Sequence, residues 1–178
     1  MSHYPLEFPK TMGKICATGM CVCYTAYCNS SSARNPDSLL LGMNPLELQF
    51  NDQLTGGYEA KNLNEDTKLP YEDNSFDVVT CVVSIDYMVQ PIEILKEVHR
   101  VLRPGGKVIV SQSNRCFPTK AIAMWLNMND RQHLELINGY FQYAGGFEPR
   151  KAFDITATLP NNGYRDPMFI VEARKSNS

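Results

Sequence analysis

Val78-Val79-Thr80-Cys81-Val82-Val83 is followed by Pro91-Ile92-Glu93-Ile94-Leu95-Lys96-Glu97-Val98-His99-Arg100-Val101-Leu102, and then by Pro104-Gly105-Gly106-Lys107-Val108-Ile109-Val110-Ser111. This succession decides the fold class. The first run is almost uninterruptedly β-branched or apolar, and Asp73-Asn74-Ser75 supplies turn chemistry just before it. A strand apolar on both faces belongs in a parallel sheet covered by helices. In the second run Pro91 suits a first helical position, and Ile92, Leu95, Val98 and Leu102 recur at helical spacing. Arg100 and Arg103 are expected in its last turn, complementing the helix dipole. Pro104-Gly105 carries the residue pair of a type II turn, and residues 107–111 form a second buried strand. Strand, helix, tight turn and strand make one βαβ unit with a right-handed crossover, so the class is α/β.

Working outward, residues 119–138 read as helical, with Ile122, Trp125 and Leu126 on one side. Residues 140–147 are aromatic and glycine-rich, the end of a helix running into a loop. Ala152-Phe153-Asp154-Ile155-Thr156 and Met168-Phe169-Ile170-Val171-Glu172-Ala173 read as two strands joined through Pro160-Asn161-Asn162-Gly163, an antiparallel pair with a long loop. Towards the N-terminus, residues 14–20 and 39–43 are candidate strands, and residues 44–50 have the cap, first-turn proline and spacing of a short helix. Residues 29–38, rich in Ser, Asn and Pro, read as a loop or as disordered.

The chain has 178 residues and a formal net charge of −2, enough for one domain with its own core. It has no basic run or stripe, so no nucleic-acid partner is expected. It has no apolar stretch near the ~20 residues that span a bilayer. Met1-Ser2-His3-Tyr4-Pro5 lacks the features of a secretion signal, which predicts a soluble, intracellular protein. Of six cysteines, Cys16, Cys21, Cys23 and Cys28 cluster, but their spacing lacks the paired C-x2-C knuckles of a zinc site. Free thiols are expected, with Cys81 buried in its strand, and no metal.

Two segments carry a family resemblance. Leu69-Pro70-Tyr71-Glu72-Asp73-Asn74-Ser75-Phe76-Asp77-Val78-Val79 resembles a signature of the type 11 methyltransferases, within the class I S-adenosylmethionine-dependent enzymes. Leu95-Lys96-Glu97-Val98-His99-Arg100-Val101-Leu102-Arg103-Pro104-Gly105-Gly106 is similar to that family's helix and turn, in the right order and at the right separation. The resemblance covers roughly residues 44–175. It implies a Rossmann-like three-layer sandwich: a seven-stranded, mostly parallel sheet with the first strand in the middle and the last strand antiparallel. It also implies S-adenosyl-L-methionine as cofactor and a small-molecule methyl acceptor. The family includes ubiquinone- and menaquinone-pathway enzymes.

The same resemblance implies where the cofactor lies: on a loop after the first strand, an acid ending the second, and an Asp near the end of the third. This sequence contains no G-x-G, has Met43-Asn44 in place of the ribose acid, and has Asn62 in place of the adenine Asp. An amide both donates and accepts, so Asn62 keeps the chemistry an adenine edge needs. The first strand and its loop are expected to be missing, because the start of the chain resembles the tail of that loop region. Residues 21–43 are read as an insertion or disordered loop, bracketed by Gly19-Met20 and Gly42-Met43, so that only one of the two N-terminal candidate strands enters the sheet.

The candidate cofactor residues are Met43, Asn44, Asn62, Leu63, Val83 and Ser84, set against the alternative that they are ordinary strand-end residues. Asp86 and Tyr87 could face the acceptor, or be simply a loop acid and a half-exposed aromatic. Asp77 is read as structural; His99 and His133 are read as solvated. No catalytic residue follows from spacing, since methyl transfer needs mainly in-line positioning, plus a base for some acceptors. Residues 114–120, with Tyr140, Phe141, Tyr143 and Phe147, suggest either an apolar acceptor pocket or aromatics packed on the sheet. Three readings of function stand: a methyltransferase; a catalytically inactive remnant of that fold acting as an interaction module; and an unrelated nucleotide-binding α/β protein.

Overall fold

A computed structural model describes residues 15–19, 38–42, 58–157 and 166–177. Seven strands form one sheet: β1 (Ile15–Gly19), β2 (Ser38–Gly42), β3 (Tyr58–Ala60), β4 (Phe76–Val82), β5 (Leu102–Ser113), β6 (Lys151–Asp154) and β7 (Met168–Arg174). Their order is β3-β2-β1-β4-β5-β7-β6. The first five pair with one another in parallel, and β7 runs antiparallel to both β5 and β6. Two helices, α1 (Pro91–Val101) and α2 (Asp130–Ala144), are present among the described residues. No helix there is long and apolar enough to cross a membrane.

The α/β class and the parallel-plus-antiparallel sheet follow the sequence reading. The missing first strand does not. β1 is the central strand, paired with β2 from Ile15↔Ser38 to Gly19↔Gly42 and with β4 from Ile15↔Val78 to Thr18↔Cys81. Its short run of mixed residues carries little strand signal by itself; pairing on both sides places it there. Both N-terminal candidate strands therefore belong to the sheet, and neither is surplus. Parallel neighbours cannot be joined by a tight turn and need a connection of about a dozen residues or more. Residues 20–37 supply that link, and residues 38–42 of the supposed insertion are β2 itself. The short helix read at 44–50, the Cys21–Cys23–Cys28 cluster, Met43 and Asn44 all lie outside the described residues.

β4 alternates between two apolar layers, as its run of apolar residues requires. Phe76, Val79 and Cys81 join the larger core with Ile94, Leu95, Val98 and Val101 of α1 and Ile137 and Phe141 of α2. Val78 faces the other way, with Ile109 of β5 and Ile170 of β7. Cys81 is buried and takes part in no disulfide. Helix α1 starts at Pro91 and ends at Val101, so its last turn carries His99 and Arg100 while Arg103 falls in β5.

The Pro104-Gly105-Gly106 turn sits inside β5 as an irregularity. Phe76 pairs with Leu102, then the register jumps to Val78↔Lys107. Gly105 has φ of +73°, the positive value that the third position of a type II turn demands. A Cβ on Gly106 would lie 2.8 Å from the Arg103 carbonyl and 3.1 Å from that of Asp77. Asp77 receives both of its hydrogen bonds from Arg103 Nη1, at 2.8 and 2.7 Å, so the acid is structural.

The expected helix over residues 119–138 is divided. A short 3-10 turn spans Trp125–Asn127, and α2 begins only at Asp130. Asn129 divides them by capping α2: its side chain accepts from Gln132 N, and the Gln132 side chain accepts from Asn129 N. A capping box satisfies two helix-end donors at once, which favours starting the helix there.

Candidate functional site

Because β1 to β5 are parallel, their carboxyl ends share one edge of the sheet. The strand order reverses between β1 and β4, and in open sheets of this kind the ligand crevice lies outside the strand carboxyl ends at such a reversal. The segment after β3 begins Lys61-Asn62-Leu63-Asn64, and the segment after β4 runs Val83-Ser84-Ile85-Asp86-Tyr87. Asn64 ties the two together: its Nδ2 donates to the Tyr87 carbonyl at 2.9 Å, and its Oδ1 accepts from Val89 N at 3.0 Å. Four of the six cofactor candidates named from sequence thus sit on two stitched segments. Asn64, which stitches them, was not among those candidates; a second Asn two residues after Asn62 in a short loop is its only sequence signal.

Asn62 is half-buried. Its Nδ2 donates to Glu65 at 2.6 Å and its Oδ1 accepts from Asn64 N at 3.1 Å, closing a local turn. One amide hydrogen and one lone pair remain for a ligand. Leu63 is buried and belongs to the main core. Ser84 is fully buried, and its hydroxyl donates to the Val82 carbonyl at 2.7 Å, so it shapes the turn. Val83 has φ of +39°. A β-branched residue there is strained, and it is held by hydrogen bonds from its N–H to the carbonyl and the hydroxyl of Ser111, at 3.1 and 3.2 Å. Strain of this kind persists where the surroundings over-determine the backbone, and it concentrates at ligand sites.

Asp86 and Tyr87 occupy a 3-10 turn and are both buried, which corrects the half-exposed reading of Tyr87. The segment after β5 closes over them. Phe117 N donates to the Tyr87 hydroxyl at 2.9 Å, and Ile122 N donates to the Asp86 carbonyl at 2.9 Å. Burial pushes the Asp86 carboxyl up to about 6, against the opposing pull of its own backbone N–H and of the Tyr87 hydroxyl. Cys116 lies close enough for burial and then the Asp86 charge to raise its thiol. On the same segment after β5, Phe117, Met124 and Leu126 leave large apolar side chains exposed.

The two histidines read as solvated are packed instead. His133 is buried with its Nε2 2.9 Å from the Trp125 carbonyl. His99 Nε2 lies 3.0 Å from the Gly146 carbonyl, and its ring meets Phe147 edge-on. A polar heptad pattern hides such burial when the covering element comes from elsewhere in the chain. Of the late aromatics, Tyr140 and Phe141 are core, Phe147 packs on it, and Tyr143 is exposed. They line the helix layer and lie away from the strand ends.

Residues 42–110 match the family described as a methyltransferase domain, a span that contains both of the segments carrying the resemblance. The fold is that of the class I S-adenosylmethionine-dependent methyltransferases. A methyltransferase of this class from Thermotoga maritima superposes with a TM-score of 0.63 at 17% identity, over 94% of this chain and 83% of that one. One from Mesorhizobium loti gives 0.58 at 19% identity, over 94% of each chain. The cyclase SpnF gives 0.63 at 15% identity, over 95% of this chain and 78% of that one, so this fold also supports other chemistry.

Among curated relatives, a malonyl-[acyl-carrier protein] O-methyltransferase of Marinomonas sp. is 28% identical over 38% of this chain and 25% of its own. A ubiquinone/menaquinone biosynthesis C-methyltransferase of Bdellovibrio bacteriovorus is 52% identical over 25% of this chain and 19% of its own. The sterol 4-C-methyltransferase of Caenorhabditis elegans is 46% identical over 24% and 13%. These matches span a quarter or less of the relatives' own length.

Proposed function

We propose that this protein transfers a methyl group from S-adenosyl-L-methionine to a small, largely apolar acceptor. The carrying observation is the topology: a central β1, a strand-order reversal beside it, and the Asn64 stitch that joins the segments after β3 and β4. The residues present suit the cofactor. Asn62 offers an unused amide hydrogen and lone pair to an adenine edge, and Leu63, buried in the core, anchors the segment that carries it. Val83 and Ser84 shape the opposing turn. Met43 and Asn44 stand in sequence where ribose contacts occur in the family. When bound, the cofactor supplies an electrophilic methyl on a sulfonium sulfur. The protein's part is to bind, to align the acceptor and to exclude water.

The acceptor class draws support from two sides. The relatives named above act on a malonyl-carrier protein, a quinone precursor and a sterol, by their names. Here the exposed Phe117, Met124 and Leu126 belong to the segment after β5 that packs on the Asp86 turn, apolar side chains suited to an apolar molecule.

Calorimetry with S-adenosylhomocysteine tests the reading. A dissociation constant in the micromolar range, about −8 kcal/mol, is expected, and Asn62→Leu should weaken it roughly tenfold through the lost amide contacts. The central strand expected from sequence to be missing is present, paired on both sides. No binding heat at millimolar ligand would overturn the function.

A further inference from the structure

We propose that Asp86 is the proton acceptor of this site, serving a neutral acceptor with an ionisable hydroxyl, phenolic or enolic, and that Tyr87 positions its carboxylate. The proposal rests on the methyltransferase reading and specifies its chemistry. Asp86 follows the carboxyl end of β4 by a few residues, on the strand that flanks the order reversal. It is only 5% exposed, an unusual place for a carboxylate, and acids are rarely left so unless paired. The groups that draw its raised pKa back down are its own backbone N–H and then the Tyr87 hydroxyl, which itself accepts from Phe117 N at 2.9 Å.

The titratable groups facing Asp86 are Tyr87 from its own turn and Cys116 from the segment after β5. Among the described residues no cation contributes to its ionisation. A structural acid would carry such a cation, as Asp77 does in Arg103 and Glu97 in Arg100. A desolvated carboxylate with only neutral donors is a stronger base than an ordinary one, while still ionised at neutral pH.

The step balances simply. The acceptor oxygen, or the carbon conjugated to it, forms a bond to the methyl carbon. The carbon–sulfur bond breaks and its electron pair stays on sulfur, neutralising the sulfonium. The hydroxyl proton passes to the Asp86 carboxylate and then to water. The same charge repels an acceptor that is already an anion, so a carboxylate acceptor is disfavoured.

The test uses the full chain, with a hydroquinone and a catechol as acceptor probes and a benzoate as carboxylate control. S-adenosylhomocysteine binding should be unchanged within threefold in Asp86→Asn, while methyl transfer to the hydroxyl probes falls at least 100-fold, the usual scale of one acid–base group. The wild-type rate should rise with pH through about 6 and then level. In Tyr87→Phe that limb should move to higher pH, since the tyrosine hydroxyl, after the Asp86 backbone N–H, helps to lower the carboxyl.

A readout independent of turnover is thermal stability. The folded-state value lies above the unfolded one, so the group stabilises the fold at low pH and this contribution is lost as pH rises through about 6. Asp86→Asn should therefore melt higher than wild type at pH 8, with the two converging near pH 4. Equal transfer by Asp86→Asn, or a variant less stable at pH 8, overturns the assignment. Preference for the benzoate, or no transfer to either hydroxyl probe while the homocysteine ligand binds, overturns the acceptor class. Loss of ligand binding by the wild type overturns the methyltransferase reading instead.

Discussion

The indole of Trp125 lies flat against the imidazole of His133, ring centroids 3.9 Å apart and planes 11° from parallel. The pair also shares a hydrogen bond from His133 Nε2 to the Trp125 carbonyl at 2.9 Å. Both side chains are buried, so the 3-10 turn at Trp125 is fastened to the first turns of α2. Removing the ring loses the stack and one of the two hydrogen bonds that the Trp125 carbonyl accepts, the other coming from Met128 N–H at 3.1 Å. His133→Ala should lower stability by about 1–3 kcal/mol, the sum expected for an aromatic stack and a net hydrogen bond. Urea unfolding with an unchanged slope checks it; a loss below about 0.5 kcal/mol would show that His133 is surface-like after all.

Arg100 holds the segment before β4 onto α1. Its guanidinium donates to Glu97 and Asp73 and to the carbonyls of Leu69 and Tyr71, while Glu97 accepts from Leu69 N. The hydrogen bond from Arg100 keeps the Glu97 carboxyl below its ordinary value, aided by Leu69 N–H. A depressed acid contributes stability above its unfolded value and loses it as pH falls through the folded one. Glu97→Gln should accordingly be less stable than wild type at pH 7, and the gap should close below about pH 4. Melting curves across pH measure this; a gap that widens on acidification would mean the pair does not set the ionisation.

Gly106 has no room for a side chain. A β-branched replacement would meet two backbone carbonyls, of Arg103 and Asp77, which cannot rotate away. Gly106→Val should cost about 2 kcal/mol or more by overpacking, with no special effect on cofactor affinity among the molecules that remain folded. A thermal midpoint within a degree of wild type would exclude the bulged register between β4 and β5.

What the sequence shows and hides follows from range. β4, α1 and β5 lie close together in the chain, and each carries its own period and punctuation, so Val78, Pro91 and Gly105 announce them. β1 has no such local signature; its place comes from β2 and β4, distant in sequence. The burial of His133 and His99 depends likewise on partners at Trp125 and Gly146. At the site, Asn62, Leu63, Val83 and Ser84 were legible as strand ends. Asn64 was not, because its role lies in bonds to Tyr87 and Val89.

The pairing of β2 reverses one expectation outright. If residues 21–43 were an insertion, their removal would shorten a loop and stabilise the fold slightly. In the sheet, however, β2 lies between β1 and β3 and pairs with both, through Leu40↔Tyr58 to Gly42↔Ala60 on one side and five residues of β1 on the other. Deleting 21–43 removes that strand and strips the central strand of one neighbour. It also takes away one of the carboxyl ends that border the crevice. Losing several ladder hydrogen bonds and the packing beside them is worth several kcal/mol, and a domain this size shifts about 2–4 °C per kcal/mol. The deleted chain should melt roughly 10 °C or more below the parent, or fail to fold, and should bind no S-adenosylhomocysteine. A deleted chain that kept both its midpoint and its ligand would show that β2 is dispensable and that β1 can meet β3 directly.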